Sequence, residues 1–177
     1  MKRKLLKGFT LVEMLVTVSI ITLISLTFLS YSKSQESINN LNRFNQKLLS
    51  DLKETRDNAL NMKDLVNMNQ LVYCGWGIHF DSNNNEYFLF VDKCLSGQKR
   101  GNLFYDSNDI KKPSVKISQG IKLETIIQDL VFLPPQPIIC INRSCNPLPQ
   151  EIYLRSNTFS SKTIINPIGL IYFEYAQ

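Results

Sequence analysis

The chain has 177 residues, 44% of them hydrophobic and 20% charged, with a formal net charge of +5, four cysteines and one histidine. A single histidine leaves no His cluster for a metal centre, and no Gly-rich phosphate loop or nucleophile elbow occurs, so little here points to an enzyme, a cofactor or a bound metal. The basic balance is local: Lys2, Arg3, Lys4 and Lys7 supply four of the 20 basic side chains, and without them 16 stand against 15 acidic ones, which removes most of the usual inference toward nucleic acid.

Residues 9–31 follow that basic leader as an apolar run broken only by Glu13. A bilayer-spanning helix needs roughly 20 predominantly apolar residues, so the run is long enough. A secretory signal peptide has a shorter apolar region, about 7–15 residues, ending at a small-residue cleavage site; no such site follows here. A plain single-pass anchor fits the length, and its basic flank would stay on the cytoplasmic side with the remainder outside. It explains neither Gly8 nor Glu13. A carboxylate in hydrocarbon is unfavourable by a few kcal/mol, and such a residue ordinarily has a partner.

The residues Lys7-Gly8-Phe9-Thr10-Leu11-Val12-Glu13 resemble the class III signal sequence of type IV pilins and pseudopilins. The resemblance implies that a prepilin peptidase cuts between Gly8 and Phe9 and that the new amino terminus, Phe9, is N-methylated. It also implies assembly with other pilin or pseudopilin subunits on an inner-membrane assembly platform. Glu13 would then neutralise the terminal amine of a neighbouring subunit, since each charge alone is costly in lipid. Phe9 and Glu13 are four residues apart, roughly 6 Å of helix rise, so an axial stagger between subunits would bring the pair together. The implied location is the cytoplasmic membrane, single-pass with an extracytoplasmic head, and then a cell-surface or periplasmic filament. The predicted organisation is a cleaved leader (1–8), a transmembrane or filament-core half-helix (9–31), an amphipathic half-helix (32–67) and a head (68–177).

In the second half-helix Ile38, Leu41, Phe44, Leu48, Leu52, Ala59, Met62 and Val66 mostly recur every three or four residues, one apolar stripe. Glycine and proline are absent, so one continuous helix over residues 9–67 is predicted, with the stripe packed on the head. A coiled-coil dimer is the rival reading, but the stripe skips a turn after Leu52 and lacks regular flanking charge pairs.

Beyond residue 69 the pattern turns to short aromatic and β-branched runs. Residues 70–80 and 86–91 read as a hairpin joined by Asp81-Ser82-Asn83-Asn84-Asn85, side chains that favour turns. Further strands are predicted at residues 115–118, 123–127, 130–133, 138–142, 151–155 and 168–175. Loop signals fill residues 95–113 and the two proline clusters at 134–137 and 146–149. The fold class is therefore α+β, a long N-terminal helix packed on a mainly antiparallel β-sheet head. About 110 residues after the helix suffice for one modest core.

Cys74, Cys94, Cys140 and Cys145 all lie in the part placed outside the membrane. An even number there suggests disulfides with three possible pairings. Adjacent strands favour Cys74 with Cys94, leaving Cys140 and Cys145 as a small loop. A zinc site is the rival, but the spacings lack paired short knuckles; free thiols would suit a surface that is not oxidising. Asp81, Asn83 and Asn85, with Asp92 at the twelfth position, have the alternation of a calcium loop. The sixth-position glycine and the final glutamate are missing, which favours a polar hairpin turn. His79, beside apolar residues in a strand, reads as structural, and Trp76 as core.

The head resembles GspH/FimT-type minor pseudopilins and minor pilins through Gly75-Trp76-Gly77-Ile78 with Phe80-Asp81, the segment ending Phe132-Leu133-Pro134, and the run from Ile165 to Ile171. Two functions follow: a structural subunit of a type IV pilus or type II secretion pseudopilus, or a binding minor pilin, for example one that captures DNA during uptake. Contacts for the second would come from Lys99, Arg100, Lys111, Lys112, Lys116, Arg143, Arg155 and Lys162, which are scattered along the chain, so that a solvated surface is the favoured account of them.

Overall fold

The computed structural model describes residues 8–61, 72–94, 101–135, 138–145, 148–156, 159–166 and 169–176. The chain divides into two compact units, residues 1–37 and 38–177. One helix, α1 (Leu11–Leu60), contributes to both. It contains no glycine or proline, so no backbone weakness interrupts its hydrogen-bond ladder. Asn61 forms a turn after it, and the rest of the expected helix, including Met62 and Val66, lies outside the described residues.

Within the second unit the apolar stripe is the helix's buried face: Leu41, Phe44, Leu48, Leu52 and Ala59 join one core cluster with residues of two sheets. The turn that the stripe skips is polar but also buried. There Thr55 is fully buried and its hydroxyl donates to the Asp51 carbonyl at 2.6 Å. Asp51 accepts a 2.6 Å hydrogen bond from the Tyr87 hydroxyl, and Asn45 accepts one of 2.9 Å from Ser161. Arg56 donates to the Gly169 carbonyl at 2.8 Å. Polar groups taken from water need such partners, so these bonds fix where along the helix each sheet docks.

The antiparallel head consists of two sheets. The first, sheet A, has the order β3-β2-β1-β6-β7, with β4 also on β2. Its strands are β1 (Val72–Asp81), β2 (Glu86–Cys94), β3 (Ile110–Lys111), β4 (Val115–Lys116), β6 (Asp129–Leu133) and β7 (Ile138–Ile141). The second, sheet B, has the order β10-β9-β8-β5, from β5 (Ile121–Glu124), β8 (Gln150–Ser156), β9 (Ser160–Ile165) and β10 (Ile171–Ala176). The β1–β2 hairpin turns where the sequence predicts, but β3 and β9 lie in segments without a strand pattern. β3 is only two residues long, and β9 begins Ser-Ser-Lys, so both owe their conformation to a neighbouring strand.

Asn85 joins the two sheets. It ends the β1–β2 turn with φ +52°, its amide donates to Ile121 O at 2.9 Å and its carbonyl accepts Leu123 N at 3.2 Å, both on β5. The side chain thus serves the outer edge of β5 in place of another strand.

The inward face of sheet A carries Trp76, Ile78, Phe80, Tyr87, Leu89 and Val91 toward the helix. The opposite face is also apolar, and residues 101–109 cross it as a strap. Leu103 and Tyr105 pack on a cluster of Phe90, Val131, Leu133 and Cys140. Gly77 makes room for this face, since a Cβ there would lie 2.5 Å from the Phe90 ring.

Candidate assembly and processing site

The N-terminal site is built by the first turn of α1. Gly8 and Phe9 precede the helix, Thr10 is its N-cap, and Glu13 occupies the third helical position. The Glu13 amide donates to Thr10 Oγ1 at 3.2 Å, and the Met14 amide to the Thr10 carbonyl at 3.2 Å. A threonine accepting from the third helical residue is the arrangement that satisfies an otherwise orphaned donor, and a glutamate three residues on completes the capping-box spacing. Phe9 is 77% exposed, and a Cβ added to Gly8 would meet nothing within 4 Å. Among the described residues nothing packs against Gly8, and Phe9 is exposed.

From Leu11 to Phe28 the helix has a mean hydropathy of 2.2 and none of it is buried. At 1.5 Å per residue those 18 residues rise about 27 Å, close to the thickness of a bilayer's hydrocarbon layer. Its hydroxyls turn inward on the backbone. Thr17, Ser19, Thr22, Ser25 and Thr27 each donate to a carbonyl three or four residues earlier, at 2.8–2.9 Å. In an apolar medium such back-bonding satisfies groups that would otherwise be stranded. Among the described residues the Glu13 carboxylate has no hydrogen-bond or ion-pair partner within the chain.

Residues 3–29 match the family model for the prokaryotic N-terminal methylation motif. The chain thus carries a type IV pilin-like prepilin signal, and this signal with the apolar helix marks a membrane-anchored N-terminus. The match spans the leader and the apolar half of α1 and does not reach the head. No curated protein and no solved structure matches the chain.

In the head, Cys74 is bonded to Cys94 and Cys140 to Cys145. The first bond lies where the β1–β2 register shifts between Tyr73 and Gly75. The second closes a tight turn in which Asn142 and Arg143 both have positive φ, 46° and 71°. Asp81 accepts the amides of Asn83 and Asn84 at 3.1 and 3.0 Å and the Asn84 side chain at 2.7 Å. These bonds, the backbone amide of Asn84 foremost, hold its carboxyl below the usual carboxylate range. Asp92 lies elsewhere, on the strap-covered face of sheet A, so the Asp81 turn and Asp92 do not form one loop site.

His79 pairs with Asp129 at 2.8 Å and stacks on Phe88 with ring centroids 5.0 Å apart. Trp76 is core. The basic candidates are dispersed over both sheets. Lys111 lies over the Phe88 ring at 3.9 Å, and Arg143 over Phe104 at 3.7 Å. On sheet B, Arg155 pairs with Glu124 at 3.5 Å and Lys162 with Glu151 at 3.3 Å. Lys99 and Arg100 lie outside the described residues.

Sequence reasoning missed the carboxylates that hold the strap. The signal was available in β2, where Phe88, Phe90 and Asp92 alternate onto one face, so that an aspartate sits in line with two buried phenylalanines.

Proposed function

We propose that the chain is a structural minor pilin or pseudopilin subunit of a type IV pilus or type II secretion pseudopilus, with a head of the GspH/FimT type. A prepilin peptidase hydrolyses the Gly8–Phe9 bond, and the freed Phe9 amine is methylated. The resulting secondary amine stays protonated, so a cation replaces the neutral peptide next to Thr10. The observation that carries this reading is the Glu13 carboxylate, without a partner among the described residues, on an apolar span in which Thr17, Ser19, Thr22, Ser25 and Thr27 are turned onto the helix's own backbone. Such a helix is suited to lipid or to a filament core except at one group, and that group is complemented by the methylated terminus of a neighbour. The basic leader orients the helix with the head outside the cytoplasmic membrane, and other pilin subunits and the assembly platform are its partners.

The test separates processing from assembly. Intact-mass analysis of the exported protein should show loss of the leader through Gly8 and one added methyl on Phe9. Glu13→Ala should be cut, methylated and inserted normally but be depleted from filaments. An uncut terminus in a host with active peptidase, or normal incorporation of Glu13→Ala, would overturn the reading.

A further inference from the structure

The strap is fastened by aspartates that exchange hydrogen bonds with backbone amides. Asp129 Oδ1 accepts Tyr105 N at 3.1 Å, and Asp92 Oδ2 accepts Leu103 N at 3.2 Å. From the strap side, Asp109 accepts Lys93 N and Asp106 N, both at 2.9 Å. Asp106 in turn holds Asn102 and Asn108 at 2.6 Å each. One of these fasteners is unlike the rest. Asp92 is fully buried, and its Oδ1 has no hydrogen-bond partner among the described residues. Gly101 lies so close that a Cβ there would come within 2.2 Å of that oxygen, which leaves no room for a water between strap and carboxyl.

A buried carboxylate with one oxygen unpartnered and only strap amides near the other is far less favourable than the neutral acid in the same place. Among the described residues the charged groups acting on Asp92 are Asp109 and Asp106 from the strap, both of the same sign, while Lys93 acts on Asp109. On the other side of Asp92, β1 contributes Gly75, its register partner, and β6 contributes apolar Val131 and Leu133. Residues 99 and 100 are outside the described residues.

We propose that residues 101–109 are a proton-operated cover, closed over the outer face of sheet A while Asp92 is neutral and released when it ionises, baring Phe90, Val131 and Leu133. The strap would then switch the head between a polar and an apolar outer face without any change in its disulfides or its helix. Burial first, and repulsion from Asp109 and Asp106 with it, push Asp92 from 3.8 up to about 7, against the pull of the Leu103 and Asn102 amides. Burial raises Asp109 in the same direction. A carboxyl raised in the closed form binds more protons closed than released, so closure is fully favoured below about 3.8 and is lost as pH rises through about 7.

The experiment is hydrogen exchange on the full chain in detergent micelles, disulfides intact, between about pH 5 and 8. Protection is corrected for the intrinsic pH dependence of exchange. Leu103 and Tyr105 amides should lose protection with rising pH, by up to tenfold per unit while the closed carboxyl is still protonated, and level off above about 7. Amides of β8 and β9 should not follow. Asp92→Asn should flatten the strap's pH dependence, and Asp109→Asn should move the midpoint down. Strap protection independent of pH in the unmodified chain, a matching loss in β8 and β9, or an unchanged slope in Asp92→Asn would each overturn the proposal. The first two are read without any variant, so a folding defect in Asp92→Asn does not shield it.

Discussion

The Tyr87 hydroxyl on β2 donates a 2.6 Å hydrogen bond to the Asp51 carboxylate on α1, and both side chains are buried. Lys47 Nζ reaches the other carboxylate oxygen at 2.6 Å. Burial, then the bond to Asp51, hold the Tyr87 phenol far above its ordinary range, so the tyrosine stays a donor. Its ring also meets Phe44 edge-on with centroids 5.9 Å apart. Helix and sheet are thus keyed at one point by a polar bond inside an aromatic contact.

Removing one partner strands the other. Tyr87→Phe and Asp51→Ala are each expected to destabilise the folded head by about 1–3 kcal/mol. The double variant should cost less than the two together, because two interacting residues lose the same bond. Denaturant unfolding of the three variants measures the coupling; strict additivity would show that the bond does not contribute.

Asn85 supports two requirements at once, a left-handed backbone and two hydrogen bonds to β5. Asn85→Gly keeps the first and loses the second; Asn85→Ala loses both. The expected order of stability is native, then glycine, then alanine, with the alanine variant lower by about 2–3 kcal/mol. Equal stability of the two variants in urea titration would remove the backbone contribution.

The Asp81 turn gives a pH dependence of opposite sign to that of the strap. Its folded carboxyl is lowered from 3.8 by the Asn84 and Asn83 hydrogen bonds. Its contribution is therefore present above that value and is lost as pH falls through the folded one. Because Asp81 is close to solvent, the effect should stay below about 1 kcal/mol. Asp81→Ala should lose stability at neutral pH and less at a pH acidic enough to protonate the native carboxyl as well. A difference from the native chain that is the same at both pH values would assign the turn's stability to something other than the ionised carboxylate.

The readable parts of this protein are those whose determinants are contiguous. Lys7 through Glu13 carry the signal in seven successive residues, and α1 follows from an apolar run, a stripe and the absence of glycine and proline. The β1–β2 turn follows from five polar turn formers. For the N-terminal site the structure adds one thing: Thr17, Ser19, Thr22, Ser25 and Thr27 are satisfied on the helix itself, which isolates Glu13.

Tertiary structure decided the rest, because it depends on which distant segments meet. β1 takes β6 as its second neighbour while β5 pairs with β8, and strand pairing across such separations leaves no mark in local composition. β9, polar at its start, becomes a strand between β8 and β10. Asp81 and Asp92 are chemically identical and eleven positions apart. One lies in a solvated turn that lowers its carboxyl, the other beneath Gly101 in an apolar face that raises it. Desolvation is a property of the assembled neighbourhood, so the sequence could mark where this chain joins a membrane but not which of its aspartates would be shut away from water.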